Sequence, residues 1–445
     1  MKKERETGVK RKESGKDTLE QASEVQILYA ETVPYLLHWY DYNRRILPWR
    51  EDPTPYHVWV SEIMLQQTRV EAVKGYYDRF LSRLPDVAAL AEAEEEVLLK
   101  LWEGLGYYNR VRNMQKAARV LMEQYDGEMP ADYEAIRSLP GIGDYTAGAI
   151  SSIAFGLPYP AVDGNVLRVM SRLTCSEEDI AKEQTKRKLK EDLTVIMPSR
   201  SGDFNQSLME LGATVCLPNG KPLCEQCPVM HLCKAFHAGR ETELPVKSGK
   251  KERRIEKRLV YLVVCDGKVL LHRREKKGLL AGLWEYPNVQ VEVTEPVLMQ
   301  ELLDGGVHRF WEAASDDREL RWILSWDGAV DVERNGLEIG LTVKKDKKAK
   351  HIFSHVEWHM EGIRIETECV EQAWTEEKLT EAVQRVMGQG KAEEKDGAET
   401  IGSETAMGND LWKFVTLQEL RDTYAIPSAF EAYTKELLKK EMEKE

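Results

Sequence analysis

The sequence predicts a multi-domain protein in which an all-α domain is followed by a smaller α+β domain. Two patterns indicate this. Apolar residues recur at spacings of three and four through residues 27–246, as in amphipathic helices, and they alternate with polar residues at period two within 259–445. The length of 445 residues agrees, since one domain usually holds roughly 100–200 residues.

Three segments lack an apolar pattern and are predicted to lie outside the two cores. Residues 1–26 carry mixed charge and almost no large apolar side chains, which is typical of a disordered tail. Residues 247–258 are strongly basic and are predicted to link the two domains. Residues 387–409 are predicted to form a disordered loop. Two segments look longer than such a domain requires, namely 302–350 and 384–409.

The clearest helix is predicted over Tyr56–Phe80, where apolar residues form one stripe. Further helices are predicted at Val97–Trp102, Arg110–Tyr125, Tyr145–Ala154, Val166–Leu173, Lys182–Met197 and Phe204–Val215. In the second domain, Asp266-Gly267 favours a type I′ turn between strands Leu259–Cys265 and Lys268–His272. Further strands are predicted at Trp322–Ser325, Leu337–Val343, His351–Met360 and Ile363–Glu366, with a last helix near Phe430–Glu445.

The formal net charge of −13 neither favours nor excludes a nucleic acid partner, because a phosphate backbone binds to a local basic surface. The first residues lack the apolar core of a signal peptide, and no apolar run approaches the roughly 18 residues of a membrane span. We therefore expect a cytoplasmic protein with no membrane partner.

The run Leu139–Ile150 contains Pro140 followed by Gly141 and Gly143. A proline and two glycines in this spacing end one helix, form a tight turn and begin another, which predicts a helix-hairpin-helix. The N–H groups of both glycines and of the next helical turn have no helical partners, so they could bind a phosphate. An ordinary glycine-capped turn is the alternative.

Two carboxylates are candidates for acid–base chemistry. Glu62 lies at the border of the apolar stripe, where burial would raise its pKa and let it hold a proton near neutral pH. Asp163 precedes a helix, whose N-terminal N–H groups and dipole favour an ionised carboxylate. Cleavage of a glycosidic bond needs such a pair, an acid for the leaving group and an anion facing the cationic sugar. The alternatives are a rim glutamate and an ordinary N-cap.

Four of the seven cysteines lie close together, at Cys216, Cys224, Cys227 and Cys233. Their density is typical of a metal site in a reducing compartment. Structural zinc usually uses two close pairs, whereas one close pair flanked by two single cysteines favours a cubane iron–sulfur cluster. The spacing alone leaves both metals open.

Residues 33–233 resemble the MutY-type adenine DNA glycosylases, helix-hairpin-helix enzymes related to endonuclease III. The resemblance lies in Leu47-Pro-Trp-Arg50, the Glu62 helix, Trp102–Tyr108, the hairpin, Val162-Asp-Gly-Asn165 and the cysteines. It implies a monomeric enzyme with a [4Fe–4S] cluster that removes adenine mispaired with 8-oxoguanine or guanine in double-stranded DNA. It also implies that Glu62 protonates adenine N7 and later activates water, while Asp163 stabilises the oxocarbenium ion or briefly bonds to it.

The same resemblance implies roles for further residues and shows departures. Asn165 and Tyr145 are implied to support the two carboxylates, and Arg50 and Gln206 to form the adenine pocket. Gln67 and Tyr107 are implied to insert into the duplex. Gly141 and Gly143 are implied to contact a phosphate. Tyr145 stands where bifunctional relatives carry a lysine nucleophile, so a glycosylase without lyase activity is expected. Leu167 stands where some members have a lysine, and the first cysteine gap is one residue longer than usual.

Residues 259–445 resemble, more weakly, the Nudix-like C-terminal module of the same family. Gly278–Pro287 matches, but the acidic helix that would hold Mg²⁺ does not follow, so a recognition module is expected. His351–His355 matches the loop that inspects 8-oxoguanine, which implies contacts from Phe353, Ser354 and His355. A polar strand end is the alternative for this loop.

Three other functions fit the sequence less well. An endonuclease III-like glycosylase and lyase is opposed by Tyr145 and by the second domain. A non-catalytic DNA-binding module is opposed by the presence of Glu62 and Asp163. A Nudix nucleotide hydrolase is opposed by the missing acidic helix.

Overall fold

The computed structural model describes residues 22–249, 252–291, 320–324, 330–334, 337–339, 341–367, parts of 376–387, and 411–442. The chain divides into two compact units: a first unit of residues 1–93 and 110–249, and a second unit of 94–109 and 250–445. Residues 94–109, predicted to belong to the helical domain, thus group with the second unit.

The predicted tail 1–26 extends too far, because the first helix begins at Glu24. The side chain of Ser23, just before it, accepts a hydrogen bond from the N–H of Gln26. The rest of that tail, residues 1–21, lies outside the described residues. The predicted loop 387–409 lies outside them too, apart from its first residue.

All described elements of the first unit are helical, which confirms the predicted all-α class. Side-chain caps at Thr54, Asp86 and Asp132 start three of the helices. The helices are α1 (Glu24–Asn43), α2 (Pro48–Glu51), α3 (Pro55–Leu65), α4 (Val70–Arg83), α5 (Val87–Glu92), α7 (Asn109–Gln124), α8 (Tyr133–Ser138), α9 (Asp144–Ile153), α10 (Gly164–Thr174), α11 (Glu183–Ile196), α12 (Ser201–Thr214) and α13 (Lys234–His237), while α6 (Glu95–Leu101) lies in the second unit.

The single helix predicted over Tyr56–Phe80 is wrong, because the chain breaks between α3 and α4. Gln67 takes a left-handed conformation with φ +60°. The guanidinium of Arg110 donates to the carbonyl oxygens of Ile63 and Gln66, both at 2.7 Å, at the end of α3. Carbonyls at a helix end need outside donors, and here α7 supplies one. The apolar stripe crosses the break unchanged, so periodicity alone could not detect it.

The core of the first unit forms where α12 packs against α1, α9 and α10. Phe204, Leu208 and Leu211 of α12 are fully buried in it. Gly212 allows a close approach to α10, since a Cβ at this position would lie 2.5 Å from the Cβ of Asn165. The start of α10 is therefore held directly against α12.

The second unit is built on a mixed sheet with the strand order β10-β2-β1-β9-β8, which confirms the predicted α+β class. Strand β1 pairs parallel with β9 and antiparallel with β2 and β4. Helices α14 (Leu417–Asp422) and α15 (Glu431–Met442) follow the last strand. The strands are β1 (Arg254–Cys265), β2 (Lys268–Arg273), β3 (Trp284–Glu285), β4 (Asn288–Val291), β5 (Leu320–Leu324), β6 (Val330–Arg334), β7 (Leu337–Ile339), β8 (Leu341–Ile352), β9 (Val356–Thr367) and β10 (Trp412–Thr416).

The predicted β1–β2 hairpin is confirmed, with φ of +49° at Asp266 and +73° at Gly267, as a type I′ turn requires. The predicted strand His351–Met360 is wrong, because β8 ends at Ile352 and β9 begins at Val356. Phe353 closes the connection, its N–H donating to the carbonyl of Val356 at 2.8 Å.

The last part of the predicted linker 247–258 is also wrong, because β1 begins at Arg254. Glu256 is buried within this strand, where it accepts bonds from Arg254, Arg258 and the indole of Trp358. Because these charged side chains are paired inside the fold, the strand lacks the alternation of apolar and polar residues that marks a strand in the sequence. The segment was therefore predicted to be a solvent-exposed linker.

Candidate active site

The first unit contains a cavity of about 1170 Å³ among helices α2, α3, α9, α10 and α12. Both predicted carboxylates face it, although they lie on different helices. The predicted site residues that line it are Arg50, Glu62, Gln67, Gly143, Tyr145, Asp163, Asn165 and Gln206. A cavity of this size with convergent polar groups is typical of a small-molecule or base-binding site.

Glu62 is held on α3 with only 6% of its surface exposed. The hydroxyl of Tyr145, on α9, donates to its Oε2 at 2.5 Å. Burial, helped by the nearby charge of Asp163, raises the pKa of the Glu62 carboxyl to about 7, while the Tyr145 hydrogen bond and Arg50 oppose the rise. This side chain can therefore hold a proton near neutral pH and release it to a bound base.

Asp163 is the N-cap of α10. Its Oδ1 accepts the N–H of Val166 at 2.8 Å, and its Oδ2 accepts the side-chain amide of Asn165 at 2.6 Å. Burial nevertheless raises the pKa of Asp163 above its ordinary value, against the lowering effect of these donors and of Arg168. The sequence predicted only the stabilising donors of the helix end, because the burial of Asp163 in the folded unit is not visible in it.

Arg168 fixes the amide of Asn165 and was missed by the sequence analysis. Its guanidinium donates to the Asn165 Oδ1 at 2.9 Å and to the carbonyl oxygens of Gly212, at 2.8 Å, and Cys216, at 2.8 Å. Because the Asn165 oxygen is occupied, its NH₂ group faces Asp163. The i, i+3 spacing of Asn165 and Arg168 on one helix was the available signal.

A second missed residue is Glu210, which is 1% exposed on α12. Its carboxylate pairs with Arg45 at 2.6 Å and with Arg50 at 2.8 Å. Burial opposes ionisation, but these two partners outweigh it and hold the pKa of Glu210 below its ordinary value. Arg50 in turn donates to the Gln206 Oε1 at 3.1 Å, so the charged group and the amide at the cavity wall are locked together. The i, i+4 spacing of Gln206 and Glu210 could have indicated this.

The hairpin joins α8 to α9 through a turn that requires glycine. Gly141 has φ +78°, and a Cβ there would lie 2.6 Å from the Cβ of Asn113. Gly143 is the N-cap of α9 and puts no side chain over the first N–H groups of that helix. The adjoining wall of the cavity carries Lys186, Arg187 and Lys190 of α11, and each of them is paired with an acid, namely Glu183, Glu191 and Asp144.

The four clustered cysteines line one small cavity in the first unit. The guanidinium of Arg172 donates to the Cys216 Sγ at 3.2 Å. Burial, together with the other three thiols, raises the pKa of Cys227 to about 12, so a thiolate there needs added positive charge. Within the described ranges, no group of three or more His, Cys, Asp or Glu side chains meets the geometry of a metal site. The donor set fits an iron–sulfur cluster in kind, since four thiols converge on one space.

Two family models match the chain: the HhH-GPD superfamily of base excision DNA repair proteins over residues 60–194, and the NUDIX domain over 259–436. The adenine DNA glycosylase of Mus musculus is 37% identical over 367 residues, covering 65% of this chain and 70% of the mouse protein. That of Buchnera aphidicola subsp. Schizaphis graminum is 34% identical, covering 74% of this chain and 86% of its own. The chain belongs to the adenine DNA glycosylase family.

The human relative agrees with this assignment of an adenine DNA glycosylase. The Homo sapiens adenine DNA glycosylase is 38% identical over 60% of this chain and 59% of its own length. Among solved structures, a thermostable thymine-DNA glycosylase is 28% identical with a TM-score of 0.44, covering 48% of this chain and 98% of that one. As a member of this family the chain is a DNA glycosylase of base-excision repair.

The remaining predicted site residues of this glycosylase lie in the second unit. Phe353, Ser354 and His355 form the loop between β8 and β9, which we call the recognition loop. Phe353 is half-buried against Trp358, with ring centroids 4.9 Å apart, whereas Ser354 and His355 are exposed. Tyr107 lies in a separate turn and is 50% exposed. In the part of the chain that the structure describes, no helix is long and apolar enough to cross a membrane.

Proposed function

We propose that this glycosylase excises adenine mispaired with 8-oxoguanine or guanine in double-stranded DNA, by acid-assisted hydrolysis of the N-glycosidic bond. The observation that carries the proposal is the pair Glu62 and Asp163 facing one cavity, with the pKa of Glu62 raised to about 7. Adenine is a poor leaving group as an anion, so it must take up a proton as the bond breaks. A buried acid that is half protonated near neutral pH suits this task.

In this mechanism Glu62 donates its proton to N7 of the extruded adenine. The C1′–N9 bond breaks, its electron pair stays with the base, and positive charge develops on the deoxyribose. Asp163 faces that charge and stabilises the oxocarbenium ion, with Asn165 and Arg168 fixing its orientation. The Glu62 carboxylate then accepts a proton from the water that attacks C1′, which restores the starting acid. Tyr145 orients Glu62 throughout.

Adenine reaches this site only after leaving the base stack. We assign its recognition to Arg50 and Gln206, which are bonded to each other at the cavity wall. Gln67, in the break between α3 and α4, and Tyr107 would fill the space that the base leaves in the duplex. The hairpin N–H groups of Gly141 and Gly143 would hold a phosphate without sequence preference.

We further propose that Cys216, Cys224, Cys227 and Cys233 hold a [4Fe–4S] cluster. When bound, this group would supply the positive charge that stabilises the four thiolates, and it would hold residues 216–233 together. No step of base excision passes through it. Determination of iron, inorganic sulfide and zinc in the purified protein tests the assignment, and zinc without sulfide would contradict it.

The recognition loop is proposed to contact the base opposite adenine. 8-Oxoguanine carries a proton at N7 that guanine lacks, so the Ser354 hydroxyl, which is exposed, could accept a hydrogen bond from the lesion alone. Phe353 would add apolar contact. Because Tyr145 stands in place of an amine nucleophile, we propose a glycosylase without lyase activity.

A single-turnover assay tests the function. Duplexes with adenine opposite 8-oxoguanine, guanine or thymine are incubated with wild type and Glu62→Gln, and each sample is analysed with and without alkali. We expect adenine release opposite 8-oxoguanine and guanine, strand breaks only after alkali, and loss of both in the variant. Breaks without alkali would instead identify a lyase, and release from every duplex would exclude recognition of the opposite base.

A further inference from the structure

The turn that carries Tyr107 is fastened to the rest of the second unit by a polar contact that the mechanism above does not use. Lys100, near the end of α6, donates to the carbonyl oxygens of Leu420 at 3.3 Å and Tyr424 at 3.0 Å. These carbonyls lie at the end of α14, where no helical N–H reaches them. Glu103 pairs with Lys100 at 2.7 Å and accepts the N–H of Ile426 at 2.7 Å. We call these contacts the Lys100–Glu103 anchor.

The anchor adjoins a turn with little freedom. Trp102, between the two anchor residues, is fully buried, and its indole N–H donates to the carbonyl of Gly106 at 3.1 Å. Gly106 and Tyr107 both have positive φ, of +68° and +48°. A left-handed conformation at tyrosine costs energy and persists only where the surroundings impose it. The position of Tyr107 is therefore set by Trp102 and by the anchor residues, Lys100 and Glu103, that flank Trp102 in the chain.

The anchor also touches the core that supports the recognition loop. Phe353 packs on Trp358, which packs on Phe430 with ring centroids 6.1 Å apart. The same buried cluster contains Tyr424 and Ile426, whose backbone groups bind the anchor. One continuous packed body thus runs from the recognition loop to the turn of Tyr107.

We propose that Lys100 and Glu103 are positioning residues that set the preference for adenine opposite 8-oxoguanine over adenine opposite guanine. The inference rests on the proposed function. The packed body described above fixes Tyr107 relative to the recognition loop, so a lesion held by that loop places Tyr107 at the step of base extrusion. The two residues act through Tyr107 and not through contact with the substrate.

The test compares Lys100→Met and Glu103→Gln with wild type in the full-length chain. Single-turnover excision is measured on adenine:8-oxoguanine and adenine:guanine duplexes, and stack opening is followed by the fluorescence of 2-aminopurine beside the target adenine. We expect the ratio of the two excision rates to fall roughly 2- to 30-fold, the size of typical energetic coupling between sites. The fluorescence rise should slow by the same factor on the 8-oxoguanine duplex only.

Lys74→Met is the matched control, because Lys74 forms a lysine–glutamate pair of the same i, i+3 spacing with Glu71 on α4. It should leave the ratio unchanged, and Lys100→Arg, which keeps the donors, should restore it. If Lys100→Met does not fold, the isosteric Glu103→Gln decides with the same measurements. A double-mutant cycle with Phe353→Ala should be non-additive.

Equal rate losses on both duplexes, an unchanged ratio in Glu103→Gln, or additivity with Phe353→Ala would each overturn the inference. These results leave the proposed function standing, provided that wild type prefers the 8-oxoguanine duplex. A wild type without that preference would instead overturn the recognition proposed for Phe353 and Ser354, and this inference with it.

Discussion

Replacing Glu62 by glutamine should stabilise the protein at pH 8 while abolishing excision. In the wild type, ionised Glu62 is buried with 6% of its surface exposed, and its pKa is raised from 4.5 to about 7. The folded state therefore binds this proton more tightly than the unfolded state does. Stability that is present below pH 4.5 is lost as pH rises through 7, because the unfolded chain loses the proton first.

The size of the effect follows from the pKa difference. Each unit of pKa difference between the folded and unfolded states corresponds to roughly 1.4 kcal/mol. The rise of the Glu62 pKa from 4.5 to about 7 therefore lowers the free energy of unfolding by about 3 kcal/mol at high pH. Glutamine has the same shape, cannot ionise, and keeps an oxygen that can accept the Tyr145 hydroxyl. The variant should therefore gain stability over wild type by about 2 to 3 kcal/mol more at pH 8 than at pH 5.

Thermal unfolding followed by circular dichroism at the two pH values measures this difference. For a unit of this size, the expected gain corresponds to a relative rise in the unfolding midpoint of roughly 4–12 °C. Glu123→Gln, at an exposed position on α7, is the control and should show no such pH dependence. An equal midpoint difference at both pH values would refute the claim that Glu62 is a desolvated acid.

Three further predictions concern the surroundings of this acid. The wild-type excision rate should fall as pH rises above about 7. Tyr145→Phe should move that fall to higher pH, because the hydrogen bond that it removes lowers the pKa of Glu62. Profiles of excision rate against pH measure both effects. Gly212→Ala should destabilise by about 1–3 kcal/mol and slow excision by pushing α12 from α10, whereas Gly249→Ala, which meets no atom within 4 Å, should do neither in melting and rate assays. Arg50→Met should cost about 1.5–3 kcal/mol in urea unfolding, because Glu210 loses one of its two charged partners and keeps Arg45, and a loss under about 1 kcal/mol would contradict this.

Features that depend on neighbouring residues were predictable from the sequence. The Asp266-Gly267 turn, the N-cap position of Asp163 and the glycine turn of the hairpin each need only a few adjacent residues. Their backbone conformations are set by local sterics and by hydrogen bonds to the next helical turn. Such features keep the same structure in many folds, so a short pattern is enough to indicate them.

Features that depend on distant residues were not predictable. The break after α3 is set by Arg110, more than forty residues away, and the burial of Glu256 depends on Trp358, about a hundred residues away. Residues 94–109 look like part of a helical domain because their pattern is helical, yet Lys100 binds backbone carbonyls beyond residue 419. Hydrophobic patterns describe which face of an element is buried, but not against which partner.

The same distinction bears on which of the two carboxyls acts as the acid in the proposed mechanism. Both lie in one cavity, and burial raises the pKa of each, so burial alone does not divide the roles. The donors do. Asp163 receives a backbone N–H and an amide, with the charge of Arg168 nearby, whereas Glu62 receives the hydroxyl of Tyr145. Donors stabilise the anion, so the proposed mechanism places the proton on Glu62 and the negative charge on Asp163. That division is the one that protonated departure of a base and a cationic sugar require.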